Sequence, residues 1–154
     1  MARLDVGARA PSFTLANQDG DRVALSDFEG RRLVLYFYPA DDTPGCTTQA
    51  CQFNDELAHF KDLEVDVLGV SPDTTNDHVA FRTKFSLAFD LLSDPDKKVM
   101  ARYGAYGEKM LYGKKVVGVI RSTFVIGPTG TIEHAWYGVR TNGHAARVLA
   151  SLRA

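Results

Sequence analysis

The apolar run Leu33-Val34-Leu35-Tyr36-Phe37-Tyr38 stops at Pro39, and four residues later Thr43-Pro44 opens a new periodic segment. Six residues are too few for a stable helix, and their aliphatic and aromatic content, closed by a proline, fits a buried strand. Thr43-Pro44 is a helix-start signature, with threonine at the N-cap and proline at the first helical position, where its missing N–H costs nothing. A buried strand that feeds straight into a helix commits the chain to an α/β architecture.

The rest of the pattern alternates in the same way. Residues 13–15 and 22–25, joined across Asp19-Gly20, read as a small N-terminal β-hairpin. Residues 44–60 read as a helix, 65–70 as a second strand, and 75–85 as a second helix entered through Ser71-Pro72-Asp73. Leu91-Leu92 suggests a short strand, 97–103 a helix ended by Gly104, and 107–118 an irregular or hairpin segment. Residues 121–126 and 131–136 flank the turn Gly127-Pro128-Thr129-Gly130, and a closing helix covers about 144–152. The expectation is one domain over residues 1–154, an α/β fold with a central mixed β-sheet flanked by helices on both faces.

Cys46 and Cys51 are the only thiols of the chain. With Thr43 as N-cap, Cys46 takes the third helical position, beside unpaired amides and the positive end of the helix dipole, which favour a thiolate over a thiol. Ala50, Phe53, Leu57 and Phe60 continue an apolar stripe that Cys46 heads. Cys51 lies off that stripe: five residues advance a helix by about 500°, leaving the two side chains roughly 140° apart and their Cα atoms about 8.6 Å apart. A disulfide needs Cα atoms within about 7 Å, so joining Cys46 to Cys51 requires the first turns to unwind. Such a bond is a switch and not a staple.

Arg121 begins a strand on which Arg121, Thr123 and Val125 share one face and Ser122, Phe124 and Ile126 the other. An unpaired guanidinium there is costly, so it should meet a carboxylate, a thiolate or an open pocket. Zinc is a weak reading, because His59, His78, His134 and His144 form no paired-ligand spacing with the cysteines. The four residues between the thiols likewise differ from a Cys-x-x-Cys reductase motif.

The chain needs no disulfide or metal to build a core, being 154 residues long with 45% apolar content. The opening Met1-Ala2-Arg3-Leu4-Asp5-Val6-Gly7 lacks the apolar core of a signal peptide, and no stretch reaches the length of a membrane span, so the expected location is the cytoplasm. Reducing conditions there make close cysteine pairs catalytic, metal-binding or redox-sensing more often than structural. A net charge of −1, from 18 basic and 19 acidic residues, argues against a nucleic-acid or anionic-membrane surface and for a small substrate.

At Pro39, Thr43 and Cys46, at Arg121 in Arg121-Ser122-Thr123-Phe124, and in Tyr36-Phe37-Tyr38-Pro39 and Cys46-Thr47-Thr48-Gln49-Ala50-Cys51, the chain resembles the peroxiredoxins, specifically the peroxiredoxin Q or bacterioferritin comigratory protein subfamily. The likeness runs from about Gly7 to the last helix, with Ala40 where lysine is common and Gln49 where glutamate is common. The resemblance implies a thioredoxin-like fold and a thiol peroxidase acting on hydrogen peroxide and organic hydroperoxides. It makes Cys46 the peroxidatic cysteine and Cys51 the resolving cysteine of an intramolecular disulfide. Thr43 and Arg121 become donors to the peroxide oxygens, and Pro39 a wall that shapes and dries the pocket. The implied reductant is thioredoxin, with glutaredoxin as a second candidate, and the implied assembly is a monomer without haem, flavin or metal. A peroxide-sensing redox switch that acts through a partner is the alternative.

Overall fold

The structure, a computed structural model, describes residues 3–153, so Met1 and Ala2 of the opening segment read above, and Ala154, lie outside the described residues. Its main sheet is built from β1 (Thr14–Asn17), β2 (Arg22–Ala24), β3 (Arg32–Phe37), β4 (Val65–Ser71), β5 (Asp90–Ser93), β8 (Ser122–Ile126) and β9 (Ile132–Tyr137). Their order is β2-β1-β5-β4-β3-β8-β9. The β3, β4 and β5 strands are parallel, whereas β8 runs antiparallel to β3 and to β9, which makes the sheet mixed, as the pattern predicts. The N-terminal hairpin pairs β1 with β2 and joins the sheet through β5. The segment left open at 107–118 is a hairpin, β6 (Tyr106–Leu111) with β7 (Lys114–Val119), turned by Tyr112 and Gly113 at φ of 52° and 77°.

Alternation along β3 divides the core. Val34, Tyr36 and Tyr38 face one side with Val67, Leu91 and Val125; Leu33, Leu35 and Phe37 face the other with Leu68, Val70 and Phe124. The first face is covered by α1 (Pro44–Asp55), α2 (Leu57–Asp62), α3 (Thr75–Phe85) and α5 (His144–Arg153). The second is covered by α4 (Lys98–Arg102), by Tyr103 and by the N-terminal Phe13. Phe53 and Phe60 are fully buried on the first face, and apolar burial of each phenyl ring contributes about 2 kcal/mol. Tyr36 stacks on Phe53 with ring centroids 4.7 Å apart. Gly69 of the neighbouring strand makes room for it, since a Cβ there would stand 2.9 Å from the Tyr36 hydroxyl.

The helix expected over 44–60 is two helices. Glu56 leaves the helical region (φ −94°, ψ 0°) between α1 and α2. The apolar stripe passes through the break intact, with Leu57 and Phe60 packed in the same core as Val65 and Val67 of β4. Redirection of the chain at Glu56 is what lets the stripe follow the sheet.

The closing helix α5 docks through its first residue. His144 is 2% exposed, its Nε2 lies 2.9 Å from Thr123 Oγ1, and its ring meets Phe53 and Trp136 edge-on. Burial, with Arg147 and Arg121 nearby, lowers its pKa from 6.5 to about 4. The unfolded chain therefore takes up a proton at this histidine at a higher pH than the folded chain does, and stability is lost as pH falls through that window. Urea unfolding should show the free energy of unfolding decreasing from about pH 6.5 to about pH 4, with a flatter dependence in His144→Gln.

Candidate active site

The end of β3 delivers the chain to this site. The Tyr38 N–H donates to Val70 O at 3.0 Å, keeping the strand pinned one residue past its end, and the chain then bends at the half-buried Pro39. Asp42 takes a left-handed conformation, φ 56°, which turns the backbone into α1. Thr43 is the backbone N-cap, with φ −100° and ψ 155°, Pro44 and Gly45 follow, and Cys46 occupies the third helical position as the spacing predicts.

Thr43 differs from expectation in its side chain. Its hydroxyl does not cap the helix but donates to Ala40 O at 2.9 Å. With its hydrogen spent there, Oγ1 has lone pairs to present, so Thr43 can accept a hydrogen bond from a substrate where a donor was expected. The carbonyl of Ala40 competes successfully because it lies three residues back across the tight turn, where a threonine hydroxyl reaches readily.

Cys46 is 1% exposed, and its sulfur accepts a hydrogen bond from Arg121 Nη2 at 3.4 Å. The guanidinium is the donor that the sulfur meets among the described residues; the first-turn amides do not bond to it. Arg121 sits just before β8, held by its own carbonyl, which accepts from Val139 N at 3.0 Å. Its Nη1 donates to Gln49 Oε1 at 2.7 Å. Gly45 admits this close approach, because a Cβ there would stand 3.2 Å from Nη2. The positive group expected near Cys46 is therefore in contact with it, and the buried Gln49 shares it.

Cys51 is half-buried on α1, and both cysteines are free thiols on an unbroken helical segment. Burial pushes the Cys51 thiol up, with Asp55 one turn later adding to the rise. Beneath them, burial holds the Tyr36 hydroxyl well above the usual phenol range, helped by the charges of Cys46 and Asp41.

One network escapes a reading of the sequence. His78 is fully buried, with Nδ1 2.6 Å from Asp41 Oδ2 and Nε2 3.0 Å from Leu92 O. Asp41 also accepts from Tyr38 OH at 2.5 Å, and its backbone N–H donates to Asp73 Oδ2 at 2.7 Å. Because a carbonyl can only accept, Nε2 carries a hydrogen, and the single proton of the Asp41–His78 contact lies between Nδ1 and Oδ2. These bonds lock the loop between Pro39 and Thr43. The signal available was weak: His78 falls on the same helical stripe as Phe81 and Phe85, so a polar ring was due to be buried there.

Among the described residues no group of three or more His, Cys, Asp or Glu side chains could hold a metal ion, and no helix is long and apolar enough to cross a membrane. A cavity of about 600 Å³ lies at the far end of β3, beside Arg9, Leu33, Ile126 and Pro128, and neither cysteine lines it.

Residues 6–135 match the model of the AhpC/TSA family. A putative peroxiredoxin of Mycobacterium tuberculosis is 51% identical over 150 residues, which cover 97% of this chain and 96% of that one. A PrxQ mutant of Xylella fastidiosa superposes with a TM-score of 0.92 at 37% identity, covering 99% of this chain and 98% of the other. The Xanthomonas campestris bacterioferritin comigratory protein, studied for its alkyl peroxide reduction activity, superposes with a TM-score of 0.87 at 40% identity over 92% of this chain and 90% of its own. A thioredoxin-like sheet, a thiol at the start of a helix behind it, and relatives of this kind along nearly the whole length lead to one assignment: the chain belongs to the AhpC/TSA family, in its peroxiredoxin Q and bacterioferritin comigratory branch, and is a thiol-dependent peroxidase.

Proposed function

We propose that Cys46 is the peroxidatic cysteine and Cys51 the resolving cysteine, acting on hydrogen peroxide and organic hydroperoxides with thioredoxin as reductant and glutaredoxin as a second candidate. The observation that carries this reading is the Arg121 guanidinium 3.4 Å from the sulfur of Cys46, on a helix that also holds Cys51. The Cys46 thiolate attacks the nearer peroxide oxygen, an S–O bond forms as the O–O bond breaks, and the departing oxygen takes a proton to leave as water or an alcohol. The sulfur loses two electrons and becomes a sulfenic acid.

Charge moves from sulfur toward the leaving oxygen during this step. A guanidinium fixed beside the sulfur can follow that charge, stabilising the transition state more than the separated reactants. Thr43 Oγ1, as acceptor, orients the substrate O–H, and Pro39 forms the wall that excludes water. Cys51 then displaces water from the sulfenic sulfur, giving the Cys46–Cys51 disulfide, and an external dithiol restores both thiols.

Disulfide formation requires α1 to open, and three polar ties resist it besides its own backbone. Arg121 holds Gln49; Gln52 Oε1 accepts from Gly143 N at 2.9 Å; Asn54 bonds Ser86 O at 3.1 Å and Ala88 N at 2.8 Å. The ties through Gln52 and Asn54 end on exposed or half-buried backbone and are exchangeable for water, which suits a helix that must open in every cycle. We further read the chain as one domain over residues 1–154, working as a monomer in the cytoplasm, where a reducing dithiol is supplied.

Peroxide consumption coupled through thioredoxin and its reductase to NADPH tests the scheme. The native chain should turn over many equivalents and Cys46→Ser should fall to background. Cys51→Ser should form one equivalent of sulfenic acid and stop; native turnover in that variant refutes the resolving role. A native chain that oxidises once, and recycles with neither thioredoxin nor glutaredoxin, is instead a sensor.

The raised Cys51 thiol predicts a pH signature, since the thiolate is the attacking form. In rapid-quench experiments the conversion of sulfenic acid to disulfide should accelerate as pH rises above neutrality, and Asp55→Asn should move that acceleration to lower pH. A pH-independent second step would show that deprotonation of Cys51 does not limit it.

A further inference from the structure

Gln49 follows Cys46 by three residues on α1 and is 1% exposed. Its amide has one possible orientation: the guanidinium only donates, so the atom 2.7 Å from Arg121 Nη1 must be the oxygen. The amide nitrogen is thereby turned away from Arg121, and it is buried with no hydrogen-bond partner among the described residues. A buried donor without an acceptor disfavours the conformation that buries it, because water would satisfy it elsewhere.

The two ends of this side chain work against each other. The oxygen fastens α1 to Arg121 and holds the guanidinium on Cys46, without a negative charge to offset it. The nitrogen makes the closed helix costlier than it would be with a fully bonded side chain. Opening α1 breaks the first contact and returns the second group to water.

We propose that Gln49 is a positioning residue that sets the balance between closed α1, in which Cys46 meets Arg121, and opened α1, in which Cys46 meets Cys51. The inference rests on the roles given above to Cys46 and Cys51. It concerns how fast the sulfenic acid and the Cys51 thiol lose water to form the disulfide, and hence how long the sulfenic acid is exposed to a second peroxide molecule, which would convert it to a sulfinic acid. A carboxylate at this position has no donor to strand and forms an ion pair with Arg121, so it closes the helix more firmly while taking part of the guanidinium charge from the sulfur.

The test uses the full-length chain as native protein, Gln49→Glu and Gln49→Met, each reduced and mixed with hydrogen peroxide. Sulfenic acid, disulfide and sulfinic acid are then followed by trapping and mass spectrometry. Gln49→Glu should slow disulfide formation about tenfold and raise the sulfinic fraction at a given peroxide dose. Gln49→Met, which loses both the tie to Arg121 and the stranded donor, should slow sulfenic acid formation but leave disulfide formation as fast as native or faster. Disulfide formation in Gln49→Glu at the native rate, with a native sulfinic fraction, overturns the proposal. So does Gln49→Met slowing the second step as much as Gln49→Glu does. If the native chain forms no sulfenic acid at Cys46, the assignment of Cys46 itself falls and the Gln49 proposal falls with it; that result is distinct from either variant outcome.

Discussion

The antiparallel register of β8 on β3 is the constraint on which the site depends. Phe37 pairs with Ser122, so the residue before Ser122 arrives level with the end of β3, where α1 begins. Strand periodicity then places Arg121 on the same face as Thr123 and Val125, toward α1. A slip of one residue would send the guanidinium to the opposite face and bring Ser122 to the sulfur. The register is secured by the apolar residues on both faces of the two strands, since Phe124 and Val125 belong to different cores. Burial far from the chemistry thus fixes the contact between charge and thiol.

Around that contact the structure contrasts a fixed part with a movable one. The loop from Pro39 to Thr43 is tied to the sheet and α3 through Asp41, whose side chain and backbone meet Tyr38, His78 and Asp73 in a buried setting. Breaking such ties strands polar groups away from water, which is costly. The ties on α1 beyond Cys46 run through Gln52 and Asn54 to exposed or half-buried backbone, where water can replace them. In the proposed cycle the loop is the part that holds still and the helix that carries both thiols the part that rearranges.

Much of this was legible in the sequence because it rests on local pattern. The run at 33–38, the Thr43-Pro44 helix start and the face shared by Arg121, Thr123 and Val125 depend on periodicity and capping chemistry, and each appears where expected, with Arg121 one residue outside the strand proper. What the sequence hid depends on partners distant along the chain. Asp41 and His78 are 37 residues apart, Gln49 and Arg121 are 72 apart, and no spacing rule links such pairs. The Thr43 hydroxyl went to Ala40 because a local carbonyl and the helix amides offered competing partners, a choice that composition does not decide. The break at Glu56 escaped notice since the apolar stripe continues across it without a change of step.

That break bears on how far a disturbance can spread. Helix formation is cooperative, and in one continuous rod the loss of the first turns weakens the ladder beyond them. Here the ladder is interrupted at Glu56, and α2 has its own footing on β4 through Leu57 and Phe60. In the proposed cycle Glu56 therefore works as a firebreak: α1 melts around its two sulfurs while the aromatic core beyond the interruption stays packed, so that partial melting takes the place of global unfolding.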